Sequence, residues 1–552
     1  MKTQLVLCLF LQLFAGSSAC IKEKAVAESQ VAHITASSPV ADYGIYTFRC
    51  VAGGKYMEVS GNPLYNEKYD DARKITQYAA SVSNGSIDGW QQWHVIYHST
   101  AGNIKYYHIR NVFSGKLLDV PSGMATPGLQ LQQYAALPFS GDQQLWKIEA
   151  TTTSGTYRII NKGNGLALTN GGAAAGNGTP ITQEVAATTA SQQWMLTAQP
   201  ATTYRDDDVV RFFNRNNPAQ GSVAFDQGNS IPLGNGQVLW ITQDAWDGIS
   251  IQPNGQFRCE AFFSYGNSIL IQPTISNWDP AATPNMLRDS SAQQKPKQIC
   301  DIQPGNTFAW PGPGVQIGNH VYVQCGEGSG LIATNQSLYD LTPLNGNKWQ
   351  ATRLLPPNMS GQAAINYATG MVKAADGYVY TFGSQATGFG YACNVHVARF
   401  PENNPMSWSF WNGSSWTTTP VSGEAARITE GLGTVAMAYF NGKYVLITMD
   451  QGFNCDSSRN IYMATADSPT GPFTARTRVY TIKEYLYGSY ARYYTPAIHP
   501  HAVNGRNELL VTYSLNYSAC GGEECKDGYR DPYYYRVKGI RIPWELSGNS
   551  NQ

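Results

Sequence analysis

The 552-residue chain is poor in charge. Only 14% of its residues are Asp, Glu, Lys or Arg, and 38 basic side chains balance 38 acidic ones. So sparse and even a set offers no basic face to a polyanion, which excludes nucleic acid as an expected partner. The sequence has no Cys-x-x-Cys pair and no His-rich tract, so neither a metal nor any other cofactor is expected. Asp206-Asp207-Asp208 lacks the spacing of an EF-hand loop and reads as a solvated linker turn. After the N-terminus no segment is long and apolar enough to span a bilayer.

Aromatic and turn residues are abundant: 34 Tyr, 13 Trp, 54 Gly and 29 Pro. They imply short strands joined by tight turns, hence an all-β protein. The length exceeds one compact core, so two or three domains are expected, acting as a monomer. Uncharged aromatic faces and amides suit neutral, hydroxyl-rich ligands.

The N-terminus has the parts of a secretion signal over residues 1–19. Lys2 supplies the charge, Leu5 to Phe14 the short apolar core, and Ala15 to Ala19 the small residues before cleavage. Cys20 directly after Ala19 resembles a bacterial lipobox, with Ser17 in place of the usual Leu. A lipid on Cys20 is then the one expected link to a membrane. Residues 20–41 are Ala/Ser-rich and read as a tether. Secretion, or anchoring at the cell surface, makes disulfides expected among the later cysteines. Cys520 and Cys525 flank a short loop and could close a local bridge.

Gln91-Gln92-Trp93, Gln144-Leu145-Trp146 and Gln192-Gln193-Trp194 each fit Gln-x-Trp, at spacings of 53 and 48 residues. A fixed period signals repeated units that bury one shared core. The arrangement resembles the ricin B-type carbohydrate-binding domain, a β-trefoil, expected here over residues 42–200. The resemblance gives the three Trp a core role and makes the Gln residues hold loops. It places sugar binding at an Asp, an aromatic platform and nearby amides. The second lobe carries that set in full: Asp119, Gln132, Tyr134 and Gln143. The first lobe has Glu58 and Tyr78 instead, and the third has Thr169 and Asn170 without an aromatic.

From Tyr204 the pattern changes to alternating strands that follow turns. Gly234-Asn235-Gly236 precedes Gln237 to Thr242. Gly318-Asn319, Asp376-Gly377 and Asn441-Gly442 precede similar aromatic strands. Such units recurring every several tens of residues indicate propeller blades, five of them over residues 203–546, with 547–552 as a tail. The segments Phe225 to Leu233, Leu239 to Asp244, Trp310 to Gly314, Ser468 to Phe473, Tyr494 to Pro500 and Arg541 to Trp544 resemble a family of five-bladed propeller glycoside hydrolases that includes endo-D-arabinanases (family 183). The expected fold is thus all-β, a β-trefoil followed by a five-bladed β-propeller.

Glycoside hydrolysis generally needs two carboxyl groups flanking one bond. Asp226 before, and Asp244 at the end of, what reads as the first innermost strand are the catalytic pair that the resemblance implies. Each could equally be a turn or cap residue. Glu430, in Thr429-Glu430-Gly431, is a third candidate, because another arabinanase family places its acid in a Glu-Gly context; a solvated strand-edge Glu is the alternative. Trp246, Trp310 and Tyr494 could stack on sugars or fill the core, and His499 could orient a carboxylate or serve as a structural His. The expected activity is cleavage of an arabinan-type polysaccharide, D-arabinan included, by an enzyme that carries its own lectin. The alternative is a non-catalytic glycan-binding surface protein. Sialidase-type Ser-x-Asp-x-Gly-x-Thr-Trp boxes are absent, and neutral charge disfavours a lyase acting on acidic sugars.

Overall fold

The computed structural model describes residues 40–138, 141–173, 175–345, 348–388, 390–522 and 524–548. The expected signal segment, Cys20, nearly all of the tether and the last four residues lie outside these. The fold is a β-trefoil followed by a five-bladed β-propeller. Among the described residues there is one α-helix, α1 (Asp207–Phe213), and no helix long and apolar enough to cross a membrane.

The trefoil is a 12-stranded sheet closed by pairing its first strand, Tyr43–Cys50, with its last, Trp194–Gln199. The three Gln-x-Trp copies play one structural role. Trp93, Trp146 and Trp194 are fully buried, and their indole N–H groups donate to the carbonyls of Met57, Leu118 and Leu168 at 3.1, 3.1 and 3.0 Å. Each buried indole contributes on the order of 5 kcal/mol of transfer free energy. The amides of Gln91, Gln144 and Gln192 donate to Ala79, Ala135 and Val185, and accept from the N–H of Ser81, Leu137 and Ala187. Each Gln therefore closes one loop with both ends of its side chain.

In the propeller five inner strands follow one another around the axis: Ala224–Pro232, Phe308–Ile317, Asn366–Lys373, Val435–Phe440 and Ser489–His499. Each pairs with a second strand: Val238–Trp246, His320–Ser329, Tyr378–Ala386, Lys443–Met449 and Glu508–Ala519. The segment containing Gln237 to Thr242 is therefore a second strand, not an innermost one. The four turn signals all mark the tight connection from an inner strand to its neighbour. The ring is closed by strand pairing and by a disulfide between blades 1 and 5, Cys259–Cys525. Tyr204–Arg205, the first propeller strand in sequence, pairs with the last, Lys538–Pro543, as the outer edge of blade 5. A channel cavity of about 330 Å³ is lined by all five inner strands.

Asp206-Asp207-Asp208 is not a solvated turn. Asp206 caps α1 by accepting from Val209 N, and it receives the buried Arg541 Nε at 2.7 Å. Asp207 pairs with Lys116 of the trefoil at 3.2 Å, and Asp208 with Arg211 at 2.8 Å. The run is thus a joint between the domains. Gly115, at φ +75°, allows it: a Cβ there would sit 2.5 Å from the Arg205 carbonyl. The joint continues at Glu508, whose two oxygens receive the hydroxyls of Tyr43 at 2.6 Å and Tyr204 at 2.7 Å.

The cysteine pairing differs from the local bridge expected. Cys525 bonds to Cys259, and Cys520 to Cys455, with Cα separations of 5.8 and 5.5 Å. Ring closure brings blade 5 beside blades 1 and 4, so the partners lie far off in sequence. Cys50, Cys300, Cys325 and Cys393 are buried thiols.

Candidate active site

Asp226 lies within the inner strand of blade 1, not before it. The strand bulges directly after it: pairing jumps from Asp226↔Gln243 to Asn229↔Ile241, with Gln227 and Gly228 at φ 64° and 59°. Ser514 of blade 5 holds the bulge by accepting the Gln227 N–H at 2.9 Å. Bulges re-aim side chains and gather beside active sites. Similar register shifts interrupt the inner strands of blades 2, 3 and 5, at Pro311/Gly314, Asn366/Gly370 and Tyr494/Ala497. Asp244 stands near the end of the paired strand, at φ 40°. A non-glycine residue in that region is strained by about 1 kcal/mol or more, and persists only where its surroundings hold it.

Blades 2 and 5, on either side of blade 1, supply the partners of the two carboxyls. Tyr494, on the inner strand of blade 5, donates to Asp226 Oδ2 at 2.6 Å, and Tyr535 approaches the same oxygen at 3.5 Å. Asp226 Oδ1 is buried with no hydrogen-bond partner among the described residues. Trp310, on the inner strand of blade 2, donates its indole N–H to Asp244 Oδ1 at 3.1 Å and stacks on Phe308 at 3.7 Å. Gln243 secures the neighbouring backbone by donating to the Pro311 carbonyl.

Burial raises the Asp226 carboxyl well above the usual carboxylate range, and the charge of Asp244 raises it further. Burial pushes Asp244 up to about 6, against the lowering effect of the Trp310 hydrogen bond. No cation is among the causes of either shift. The arrangement therefore favours one proton shared unequally, with Asp226 the more strongly protonated member. Tyr391 and Phe453 complete the wall. Phe453 meets Tyr494 at 5.6 Å and Tyr391 at 5.8 Å, and the charge of Asp226 contributes, after burial, to raising the Tyr391 phenol.

Of the residues singled out in the sequence, Asp226, Asp244, Trp310 and Tyr494 come together. Three others do not join them. Glu430 is exposed, ion-pairs with Arg427 at 2.5 Å, and lies on a short strand paired with Cys393–Pro401. Trp246 is core, 2% exposed, stacked on Phe257 at 4.6 Å. His499 is buried, with its ring nitrogens against Ser230 Oγ at 2.5 Å and Thr512 Oγ1 at 2.8 Å. Tyr535, Tyr391 and Phe453 were not singled out. The run Asp531-Pro532-Tyr533-Tyr534-Tyr535 carries a signal for the first: Asp531 caps a turn by accepting the Tyr533 N–H at 2.9 Å. Nothing in sequence marks the other two.

In the trefoil's second lobe Asp119 is nearly buried, and burial pushes its carboxyl up to about 6. Gln132 donates to its Oδ2 at 2.8 Å, and the amides of Gln132, Gln144 and Gln143 act against the rise. Tyr134 stands opposite Leu117, half-buried, and Gln143 is half-buried nearby. In the first lobe the corresponding Glu58 is taken up internally, by Gln91 at 2.8 Å and Lys68 at 3.7 Å. In the third, Thr169 donates to its own strand at Ala167 O.

By fold, this is a lectin-type trefoil joined to a propeller that holds one buried carboxyl, Asp226, and one half-buried, Asp244. The chain belongs to the family described as a domain of unknown function, DUF5005, whose model matches residues 206–540. A model described as ricin-type beta-trefoil lectin domain-like matches residues 89–184 and 142–237. Among solved structures, a "putative hydrolase" from Bacteroides ovatus shares the fold at TM-score 0.50 and 18% identity, over 63% of this chain and 93% of that one. An exo-beta-1,3-galactanase from Clostridium thermocellum is 28% identical over 28% of this chain and 30% of its own, at TM-score 0.24. A Macrolepiota procera ricin B-like lectin in complex with lactose is 18% identical, at TM-score 0.22, over 30% of this chain and 99% of its own. No curated protein matches the chain.

Proposed function

We propose that the chain is an extracellular glycoside hydrolase acting on a neutral, arabinan-type polysaccharide, D-arabinan included, with a carbohydrate site in the second lobe of its trefoil. The observation that carries this reading is the Asp226–Asp244 pair: two carboxyls raised by burial, free of cations, at an aromatic mouth. Asp226 acts as the acid. Tyr494 fixes its Oδ2, which leaves Oδ1 as the oxygen that carries the acid's proton. Asp244 ionises first and acts as base or nucleophile, its charge supported by the Trp310 N–H. Proton transfer from a positioned acid contributes about 10²–10⁴-fold in rate. Residues 42–200 and 203–546 serve as the two units, and the lectin raises the local concentration of polymer. Two disulfides fit an oxidising compartment, reached by the 1–19 signal with Cys20 as the lipid site. The arabinan assignment rests on the resemblance of the motifs around Asp226, Asp244 and Tyr494.

The test is release of reducing ends from a panel of arabinan, arabinogalactan and D-arabinan. Release from at least one is expected. Binding to these polymers with no release from any would replace the enzyme by a glycan-binding surface protein.

A further inference from the structure

The inner strand of blade 5 (Ser489–His499) runs from the trefoil boundary to Asp226. Its side chains alternate. Ala491 and Tyr493 enter the core, while Tyr490, Arg492 and Tyr494 share the opposite face. Tyr494 ends on Asp226. Arg492 lies over the Phe453 ring at 5.4 Å. Phe453 is held in place by Gly452: a Cβ there would meet the Tyr493 ring at 2.3 Å, so only glycine lets the turn pack so closely. The Cys455–Cys520 disulfide ties the same turn to blade 5.

At the other end of the strand the hairpin tip is aromatic and part-exposed, with Arg459 over Tyr490 at 4.6 Å and Lys526 over Tyr487 at 5.2 Å. Tyr490 is 39% exposed and Tyr487 is 38% exposed. Tyr65, from the first lobe of the trefoil, is 58% exposed and leans over this tip, with its hydroxyl 3.6 Å from where a Cβ at Gly488 would stand. Asn66 fixes the two domains here. Its side chain accepts the Tyr485 N–H at 3.0 Å and donates to the Tyr485 carbonyl at 2.6 Å.

We propose that Tyr65, Tyr487, Tyr490, Arg492 and Phe453 form a binding track for a neutral polysaccharide chain, leading from the trefoil edge to the Asp226–Asp244 pair. The far end of the track rests on the glycosidase reading of that pair; the rest stands on its own geometry. Tyr rings offer an apolar face for sugar C–H groups and a hydroxyl at the rim. Two residues along a strand advance about 6.8 Å, so successive side chains meet successive sugars of an extended chain. Two carboxyls at the end of the track disfavour an acidic chain. The trefoil is then part of the substrate cleft, and binding energy far from the scissile bond is available to position it.

The test uses full-length protein in an Asp119→Ala background, so that the second lobe does not mask the track. Tyr65→Ala/Tyr490→Ala is compared with Tyr439→Ala, an exposed Tyr on the blade 4 inner strand. Retardation is measured in native gels containing arabinan, arabinogalactan or D-arabinan, and KM on the polymer and on its trisaccharide. Thermal melts verify folding. The double variant is expected to be retarded about tenfold more weakly, and its polymer-to-trisaccharide KM ratio to rise about tenfold. Tyr439→Ala should match the background protein. Equal retardation of the double variant, an equal loss in Tyr439→Ala, or no retardation of the background protein in any gel overturns the proposal. If the wild type cleaves nothing, the glycosidase reading fails, and retardation alone decides the track.

Discussion

Trp310 and Asp244 stand on neighbouring blades and are joined by one hydrogen bond, indole N–H to Oδ1, at 3.1 Å. The bond favours the ionised carboxylate that the proposed mechanism needs. Trp310→Phe keeps a ring on Phe308 but removes the donor. Asp244 should then titrate higher, so the acid limb of the kcat/KM profile should move up by about 0.5–1 pH unit. A pH–rate profile of the variant tests this, and an unmoved limb would separate Asp244 from that limb.

The same carboxyls destabilise the fold at neutral pH. Their folded-state pKa values lie above those of an exposed Asp, so their stabilising contribution is greatest at low pH. It is lost as pH rises through the folded value, about 6 for Asp244. Asp226→Asn and Asp244→Asn should therefore melt higher than wild type at pH 7, with the gain shrinking toward pH 4. Melts across that range decide it, and a lower Tm at pH 7 would contradict the burial argument.

The sequence showed some parts of this architecture and hid others for physical reasons. Gln-x-Trp was legible because each lobe needs one buried indole and one loop-closing amide. Gly-Asn and Asp-Gly turns were legible because the first and second strands of a blade meet in tight hairpins. The inner strand at Asp226 was not legible, because Gln227-Gly228-Asn229 looks like a turn while Ser514, far along the chain, holds it as a bulge. Trp246 and His499 carried the right chemistry for a site, but tertiary packing buries both. The disulfides were hidden because ring closure brings Cys259 to Cys525 across 266 residues.

In the trefoil, Asp119→Ala and Tyr134→Ala should each weaken retention on polysaccharide at least about tenfold, since each removes a charged acceptor or a stacking face. Glu58→Gln should leave retention as it is and lower Tm, because Glu58 is engaged with Lys68 and Gln91. Affinity electrophoresis and melts separate the two effects. Loss of retention in Glu58→Gln alone would move the site to the first lobe.

At the domain joint, burial tends to raise the Glu508 carboxyl, but Arg506 and the donors Tyr43, Asn504 and Tyr204 hold it below its ordinary value. Its stabilisation is present above the unfolded-state pKa and is lost as pH falls through the folded one. Glu508→Gln should cost about 3 kcal/mol at pH 7, less in acid, whereas the exposed Glu424→Gln should cost little. Denaturant melts measure both, and equal costs would show that the joint does not depend on this charge.

The central claim is that Asp226 and Asp244 together break a glycosidic bond. The direct measurement is reducing-end release from the arabinan, arabinogalactan and D-arabinan panel by wild type, Asp226→Asn, Asp244→Asn and Glu430→Gln, each verified as folded. Loss of at least about 10²-fold is predicted for both Asp variants, with Glu430→Gln close to wild type. Near wild-type rates in either Asp variant, or loss in Glu430→Gln with Asp244→Asn active, would contradict the pair.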